Sequence, residues 1–531
     1  MRVQATKPRP RFDITCDGEG IAGHVGAALL AELADRLGLS RALSWRAGRG
    51  QTARHRHDAG RVLRDLAVLL ADGGDCLSDL GVLRNQPELS GEVASTATAW
   101  RVIEQVASDQ LGVAGLRAAH GQARARAWAA GAWVDGLLVI DVDGTLLDAH
   151  SEKEGAAGTD KDGFGFYPLV CFLDRGDGTG EALAGILRPG NAGSNTAADH
   201  IEVVDLALAQ LPTASRGQPR LVRADTGGAT HGLVDHLRER GVRFSIGLPA
   251  DERVRAAVLA VPAEAWIPAM DADGQFRPGA EIAELDRLEL AGWPEGTRAI
   301  CRRELPHPGA QLSFTDADGH RFQVFVTDQP DTDIAALELR HRRRARVEDR
   351  IRCGKAMGLR RLPFDRWRRN QVWLELVLMA HDLVHWTQVL LLDGELARAE
   401  PKALRYRLLH VAARVTRHAR RIVVHLQRTW PCHRPGRRVH SPACAAAALL
   451  RPLPLPRRAS GSPGLPGLPR ITVPAIRQPP AAPITTLNQP TQPGWATCAS
   501  PANLPLRPRP ASGLPHEKPR LTRHYCTDGA A

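Results

Sequence analysis

Leu137-Leu-Val-Ile-Asp141-Val-Asp143-Gly-Thr145 is the stretch from which the fold can be read. It begins as a run of aliphatic residues, the composition of a buried strand, and closes on two carboxylates and a glycine. Side chains alternate along a strand, so Asp141 and Asp143 share one face. Acids where a strand stops stand where open α/β sheets gather their ligands. Leu221-Val-Arg-Ala-Asp225-Thr-Gly-Gly ends another strand in the same way. The bland alternative for Asp225 is a cap on the helix that starts near Thr230.

Around these two segments the hydrophobic period alternates between that of strands and that of helices. Strands are expected at Ala132–Val142, Tyr167–Asp174 and Ala182–Leu187. Helix Thr196–Gln210, strand Arg220–Ala224, helix Thr230–Arg240 and strand Arg243–Leu248 follow. Three neighbouring strands and then alternating helix and strand imply an α/β fold with a mixed sheet covered by helices. Residues 1–130 read as helical, with apolar i, i+3, i+4 spacing in Gly23–Leu37 and Arg61–Ala71. Residues 250–335 read as a partly β insertion, clearest at Arg321–Thr327. A helical region resumes near Ile334, contains Glu348 and runs through Val372–Ala380. Leu404–Gln427 reads as a basic amphipathic helix. Beyond about Pro452 the chain turns Pro-rich: 18 of the 38 prolines fall in residues 451–531. That tail is expected to be disordered, and an out-of-frame extension is an open alternative.

The formal charge is +12, and only six of the 70 basic residues are lysine. Between Arg340 and Asn370 twelve arginines and Lys355 face Glu348, Asp349 and Asp365. Guanidinium at that density favours a polyanion; a solvated helix face is the alternative. No run approaches the roughly 18 apolar residues of a membrane helix. The first ten residues hold no hydrophobic signal region, so no secretory leader is expected. Nine cysteines without a CxxC pair suit reduced cytosolic thiols, and no His/Cys cluster points to zinc.

A third carboxylate lies in His341-Arg-Arg-Arg344-Ala-Arg-Val-Glu348-Asp-Arg-Ile-Arg352-Cys-Gly-Lys355. Helical spacing puts Arg344, Glu348, Ile351, Arg352 and Lys355 along one face. Ion pairs at i, i+4 are the structural reading of that glutamate. Taken together, Asp143, Asp225 and Glu348 on separate elements suit a pair of Mg²⁺ or Mn²⁺ ions on either side of a scissile phosphodiester. No GxxxxGK[ST] loop is present, so nucleotide hydrolysis is not indicated.

Two families share these motifs. The Asp141-Val-Asp143-Gly-Thr loop is similar to that of haloacid-dehalogenase-like phosphatases, which would make Asp141 a nucleophile and Asp143 an acid/base. An acidic cluster at Asp328, Asp331 and Asp333 suits that family. Its downstream lysine is missing, because none occurs between Lys161 and Lys355. The fuller set of blocks resembles the DDE transposases of bacterial insertion sequences, specifically the thirteen-eighty family of the insertion-sequence-four clan. Those blocks are Asp143-Gly-Thr, Leu187-Arg-Pro-Gly-Asn191, Arg223-Ala-Asp225-Thr-Gly, and a Y-x2-R-x3-E-x6-K pattern met by His341, Arg344, Glu348 and Lys355. His341 departs from the usual tyrosine. Ala71–Asp79 and Glu400–His410 resemble family sequence on either side.

That resemblance implies a ribonuclease-H-like mixed sheet over residues 131–400, with a β-rich insertion at about 250–335. It implies a helical DNA-binding domain over 1–130, a basic helical region over 401–445 and a Pro-rich disordered tail over 446–531. Asp143, Asp225 and Glu348 would be the catalytic residues and ligands of two Mg²⁺ or Mn²⁺ ions, with Asp141 the alternative first ligand. His341, Arg344, Arg352 and Lys355 would contact DNA. The implied reaction is cut-and-paste transposition on double-stranded terminal inverted repeats and target DNA. A homodimer would form the synaptic complex, in the bacterial cytoplasm at the nucleoid and away from membranes. An inactive DNA-binding remnant of such an element is the non-enzymatic alternative.

Overall fold

The helical first region owes its shape to strong local signals. Its main helices are α1 (Ala27–Arg36), α2 (Leu39–Ala47), α3 (Ala59–Asp72), α4 (Thr96–Ser108) and α5 (Gly112–Ala127). Asp58 caps α3 by accepting from the Arg61 amide at 2.8 Å, and Gly73 ends it at φ 110°. Ser95 caps α4 through the Thr98 amide. The computed structural model describes residues 14–47, 56–149, 152–159, 163–306, 319–418 and 421–426.

The sheet is built outward from the strand that carries the first acids. β1 (Leu138–Gly144), β2 (Leu169–Asp174) and β3 (Gly180–Ile186) form an antiparallel meander. After α6 (Ala197–Gln210), β4 (Arg220–Ala224) pairs in parallel with the other side of β1. After α7 (His231–Glu239), β5 (Arg243–Leu248) pairs in parallel with β4. β1 starts at Leu138 rather than Ala132 because α5 runs on into a last turn at Trp128–Ala132, which Gly131 closes at φ 125°.

The expected insertion extends the same sheet. Strands β6 (Ile267–Met270), β7 (Phe276–Glu284), β8 (Arg298–Glu304) and β9 (Arg321–Thr327) pair antiparallel in succession, and β9 pairs with β5. The full order is β6-β7-β8-β9-β5-β4-β1-β2-β3. The open edge of β5 thus gains a partner instead of facing solvent.

Three helices close the fold: α8 (Ile334–Arg342), α9 (Arg346–Gly354) and α10 (Trp367–Leu391). α10 is buried over most of its length, packs on α3 and β3, and ties the helical region and the sheet into one apolar core. A network of buried charges joins the two at that junction. Arg124 of α5, with no exposed surface, meets Glu181 of β3 at 3.0 Å and Asp382 of α10 at 2.5 Å. His120 and Trp128 add bonds to the same two carboxylates.

The expected helix Leu404–Gln427 is not formed. A short helix at Pro401–Leu404 and a turn at Arg405–Leu409 give way to a hairpin of β10 (Ala413–His418) and β11 (Arg421–Leu426). Val415, Thr416, Ile422, Val423 and Val424 are β-branched, which favours strand over helix. β10 also finds a ready partner, the short strand Ile21–Ala22. The rest of the expected basic region and the Pro-rich tail lie outside the described residues.

Candidate active site

Strand register brings the first two acids together. β1 and β4 pair with Asp141 opposite Arg223 and Val142 opposite Ala224; one step further along lie Asp143 and Asp225. Asp143 is half-buried, and its Oδ1 accepts from the Gly144 amide at 2.9 Å. Asp225 Oδ1 accepts from the Gly227 amide at 3.0 Å. It therefore caps the turn Thr226–Gly228, while α7 takes its cap from Thr230.

α9 lies over the same face of the sheet. Val347 and Ile351, one turn apart, pack on Val170, Phe172 and Ala182 of β2 and β3. That seat leaves the adjacent Glu348 exposed at the mouth of a cleft of about 630 Å³. Asp143, Thr145, Glu348, Arg352, Lys355 and Lys402 are among its lining residues.

Burial pushes the Asp143 carboxyl up to about 6; the charges of Asp225 and Glu348 push the same way, and Arg344 pulls against them. Arg344 Nη1 stands 3.9 Å from Asp143 Oδ2. The three acids thus share one electrostatic neighbourhood, more openly spaced than a closed ion cage. Among the described residues, ligand atoms within 4.8 Å of one another occur at His24, Asp72 and His410 and at Asp75, Cys76 and Asp79.

Asp141 has a different role. It is fully buried, and Arg223 grips both its oxygens, from Nε at 2.7 Å and from Nη2 at 2.9 Å. Arg223 also reaches Asp174 at 2.7 Å, and Asp174 in turn receives Arg350 of α9 at 3.0 Å. Burial would push Asp174 up, but Arg223 and Arg350 outweigh it and hold its carboxyl below the usual range. This chain of charges fastens α9 to the sheet one layer below the acids. Fully buried and with both oxygens engaged by Arg223, Asp141 is placed as a structural carboxylate below the cleft.

The cationic positions divide. Arg344 faces Asp143, and Lys355 lines the cleft; Lys355 Nζ donates to the Leu146 carbonyl at 3.1 Å, and burial lowers its pKa. Arg352 is exposed and paired with Asp349 and Glu400, each at 2.9 Å. His341 is turned away from the cleft. Its ring stacks on Phe325 at 4.3 Å, its Nδ1 lies 2.9 Å from Ser245 Oγ, and burial takes its pKa down to about 3. A neutral, stacked imidazole is a packing group, so the expected DNA contact at this position has no support in its surroundings.

The acidic cluster that suited a phosphatase is also structural. Asp328 accepts from the Phe244 amide at 2.9 Å, Asp331 pairs with Arg340 at 2.7 Å, and Asp333 caps α8. Sequence reasoning missed the Asp141–Arg223–Asp174–Arg350 chain. Its signal was present in the two strand ends, Asp141-Val-Asp143 and Arg223-Ala-Asp225. In parallel register the outer pair must be acid beside acid and the inner pair acid beside arginine.

Comparison with known proteins bears on most of the chain. The model of the family Transposase DDE domain group 1 matches residues 4–441. No curated protein matches. Among solved structures, a cryo-EM structure of a piggyBac transposase synaptic complex with hairpin DNA is 10% identical, with a TM-score of 0.35. The match covers 72% of this chain and 79% of that one. With the family model spanning well over half of its length, this chain belongs to the family Transposase DDE domain group 1, and it is a DDE transposase.

Proposed function

We propose that this transposase cuts DNA at the terminal inverted repeats of a bacterial insertion sequence and joins the freed ends to target DNA, as the thirteen-eighty family of the insertion-sequence-four clan does. The observation that supports the reading is the shared electrostatic neighbourhood of Asp143, Asp225 and Glu348 beside a cleft whose lining includes Arg352, Lys355, Arg360 and Lys402. On this reading the five strands β1–β5 form a ribonuclease-H-like core. Its support is an antiparallel meander extended by two parallel strands, with the first acid at the end of the first strand.

The donor set fits hard divalent ions. Asp143, Asp225 and Glu348 offer only carboxylate oxygens, and Asp143 carries an uncompensated, proton-hungry charge that a cation would relieve. Two Mg²⁺ or Mn²⁺ ions held there would polarise the attacking water or 3′-hydroxyl and stabilise the leaving oxygen. The protein supplies the rest. Arg344 and Lys355 offer positive charge to DNA phosphates along the cleft, and Arg352 adds to it once released from Glu400. Arg223, Asp174 and Arg350 keep α9, and so Glu348, at a fixed height above the sheet. Residues 1–130 would recognise the repeats, and two copies would pair two transposon ends. A phosphatase reading has no comparable support, because its nucleophile would be the fully buried Asp141.

The test is Mg²⁺- or Mn²⁺-dependent nicking of a duplex carrying the inverted repeats that bracket the gene. Glu348→Gln is expected to abolish nicking while binding of the same duplex persists. Nicking at the wild-type rate would remove Glu348 from the site.

A further inference from the structure

Away from the three acids the chain gathers a second donor set that its sequence hides. His24 precedes α1, Asp72 is the last residue of α3, and His410 follows the turn that leads to β10. His24 Nδ1 lies 2.6 Å from Asp72 Oδ2, and His410 Nε2 lies 3.2 Å from Asp72 Oδ1. The two imidazoles approach to 4.0 Å between centroids. One ligand atom from each residue falls within 4.8 Å of the other two. The absence of a His/Cys cluster, expected from the sequence, does not extend to this histidine–aspartate set.

One feature of the cluster points to a missing ligand, and the backbone around it holds the cluster in place. The Asp72 side chain is 3% exposed, yet its Oδ1 has no hydrogen-bond partner. A buried carboxylate oxygen left without a hydrogen bond is destabilising. His410 Nε2 bonds instead to the Asp72 carbonyl at 2.8 Å. Arg405, which feels the charge of Asp72, gives its hydrogen bonds to the carbonyls of Leu70, Ala71 and Ala356. His24, moreover, adopts φ 52°, a left-handed conformation that a non-glycine residue keeps only where its surroundings impose it. They do so here. The Val25 and Gly26 amides bond to the carbonyls of Val411 and Leu409, and a Cβ on Gly26 would stand 2.2 Å from the Leu408 carbonyl oxygen.

We infer that His24, Asp72 and His410 form a binding site for a divalent transition ion of the zinc class, separate from the Mg²⁺ or Mn²⁺ site. Two imidazole nitrogens and a carboxylate suit Zn²⁺ or Co²⁺ far better than Mg²⁺, which takes oxygen ligands. The histidine side chains, 34% and 37% exposed, leave an outer position open for water. Asp72 runs straight into Gly73 and Asp75, which line the same cleft as Asp143 and Glu348. An ion here would clamp three remote segments into one wall of that cleft.

The experiment uses the full chain, stripped with EDTA and then titrated with Co²⁺ in excess Mg²⁺, so that the oxygen-ligand site is occupied. One Co²⁺ per chain, with the visible bands of a four-coordinate N/O site, is expected for the wild type and for Glu348→Gln. His24→Gln and His410→Gln should weaken binding by more than about 100-fold, beyond the range that outer-shell changes produce. Should His24→Gln fail to fold, His410→Gln and the wild-type stoichiometry still decide. No Co²⁺ retained by the wild type, or unchanged spectra in both histidine variants, would overturn the assignment. Because Glu348→Gln loses nicking but keeps Co²⁺, failure here and failure of the proposed reaction can be told apart.

Discussion

Two layers of acids, offset by the two residues from Asp141 to Asp143 along β1, are treated in opposite ways. In the inner layer Asp141 and Asp174 are buried among Arg223 and Arg350, with every charge matched at 2.7–3.0 Å. In the outer layer Asp143 has only Arg344, at 3.9 Å, against the charges of Asp225 and Glu348. The inner layer is a clamp and the outer layer a vacancy for positive charge. On the proposed reading, aspartate serves structure at Asp141, which faces Arg223 in register, and chemistry at Asp143, which does not.

The largest break in this comparison is to remove the inner compensation. Arg223→Met leaves Asp141 and Asp174 buried without it and should cost about 3–5 kcal/mol in chemical denaturation. A cost below about 1 kcal/mol would mean that the clamp is not what holds α9 down.

The outer layer should respond to pH instead. Folding raises the Asp143 carboxyl from 3.8 to about 6, so the folded chain holds the extra proton between those values. Stability of the ion-free protein should therefore fall as pH rises through that window and stay low above it. Asp143→Asn should remove the fall and stabilise the ion-free protein at pH 7 by on the order of 3 kcal/mol. Parallel pH profiles for the variant and the wild type would contradict the raised value.

Smaller effects separate packing from contact with DNA. His341→Phe keeps the stack on Phe325 and loses the bond to Ser245, about 1 kcal/mol, with the salt dependence of DNA binding unchanged. A shallower salt slope would return His341 to the DNA interface. Arg344→Ala should move stability least, within about 0.5 kcal/mol, yet reduce that salt slope by about one ion. An unaltered slope would place Arg344 off the phosphates.

Strand ends were legible in the sequence because their signals are local. Arg220–Ala224 and Arg243–Leu248 form as read. The convergence of Asp143 and Asp225 was half-legible, since parallel register follows once β1 and β4 are neighbours. What escaped depends on partners remote in sequence. Ala413–His418 becomes a strand because Ile21–Ala22 is there to pair with it, and the charge of Leu404–Gln427 hid its β-branched residues. His341 could not be told from a DNA ligand until Phe325 and Ser245 were beside it.

The central claim is best tested by anomalous diffraction from crystals of the protein bound to inverted-repeat DNA and soaked in Mn²⁺. Two Mn²⁺ peaks among Asp143, Asp225 and Glu348, both lost in Asp143→Asn, are the result the account predicts. DNA seated in the cleft with no Mn²⁺ at those three carboxylates would contradict it.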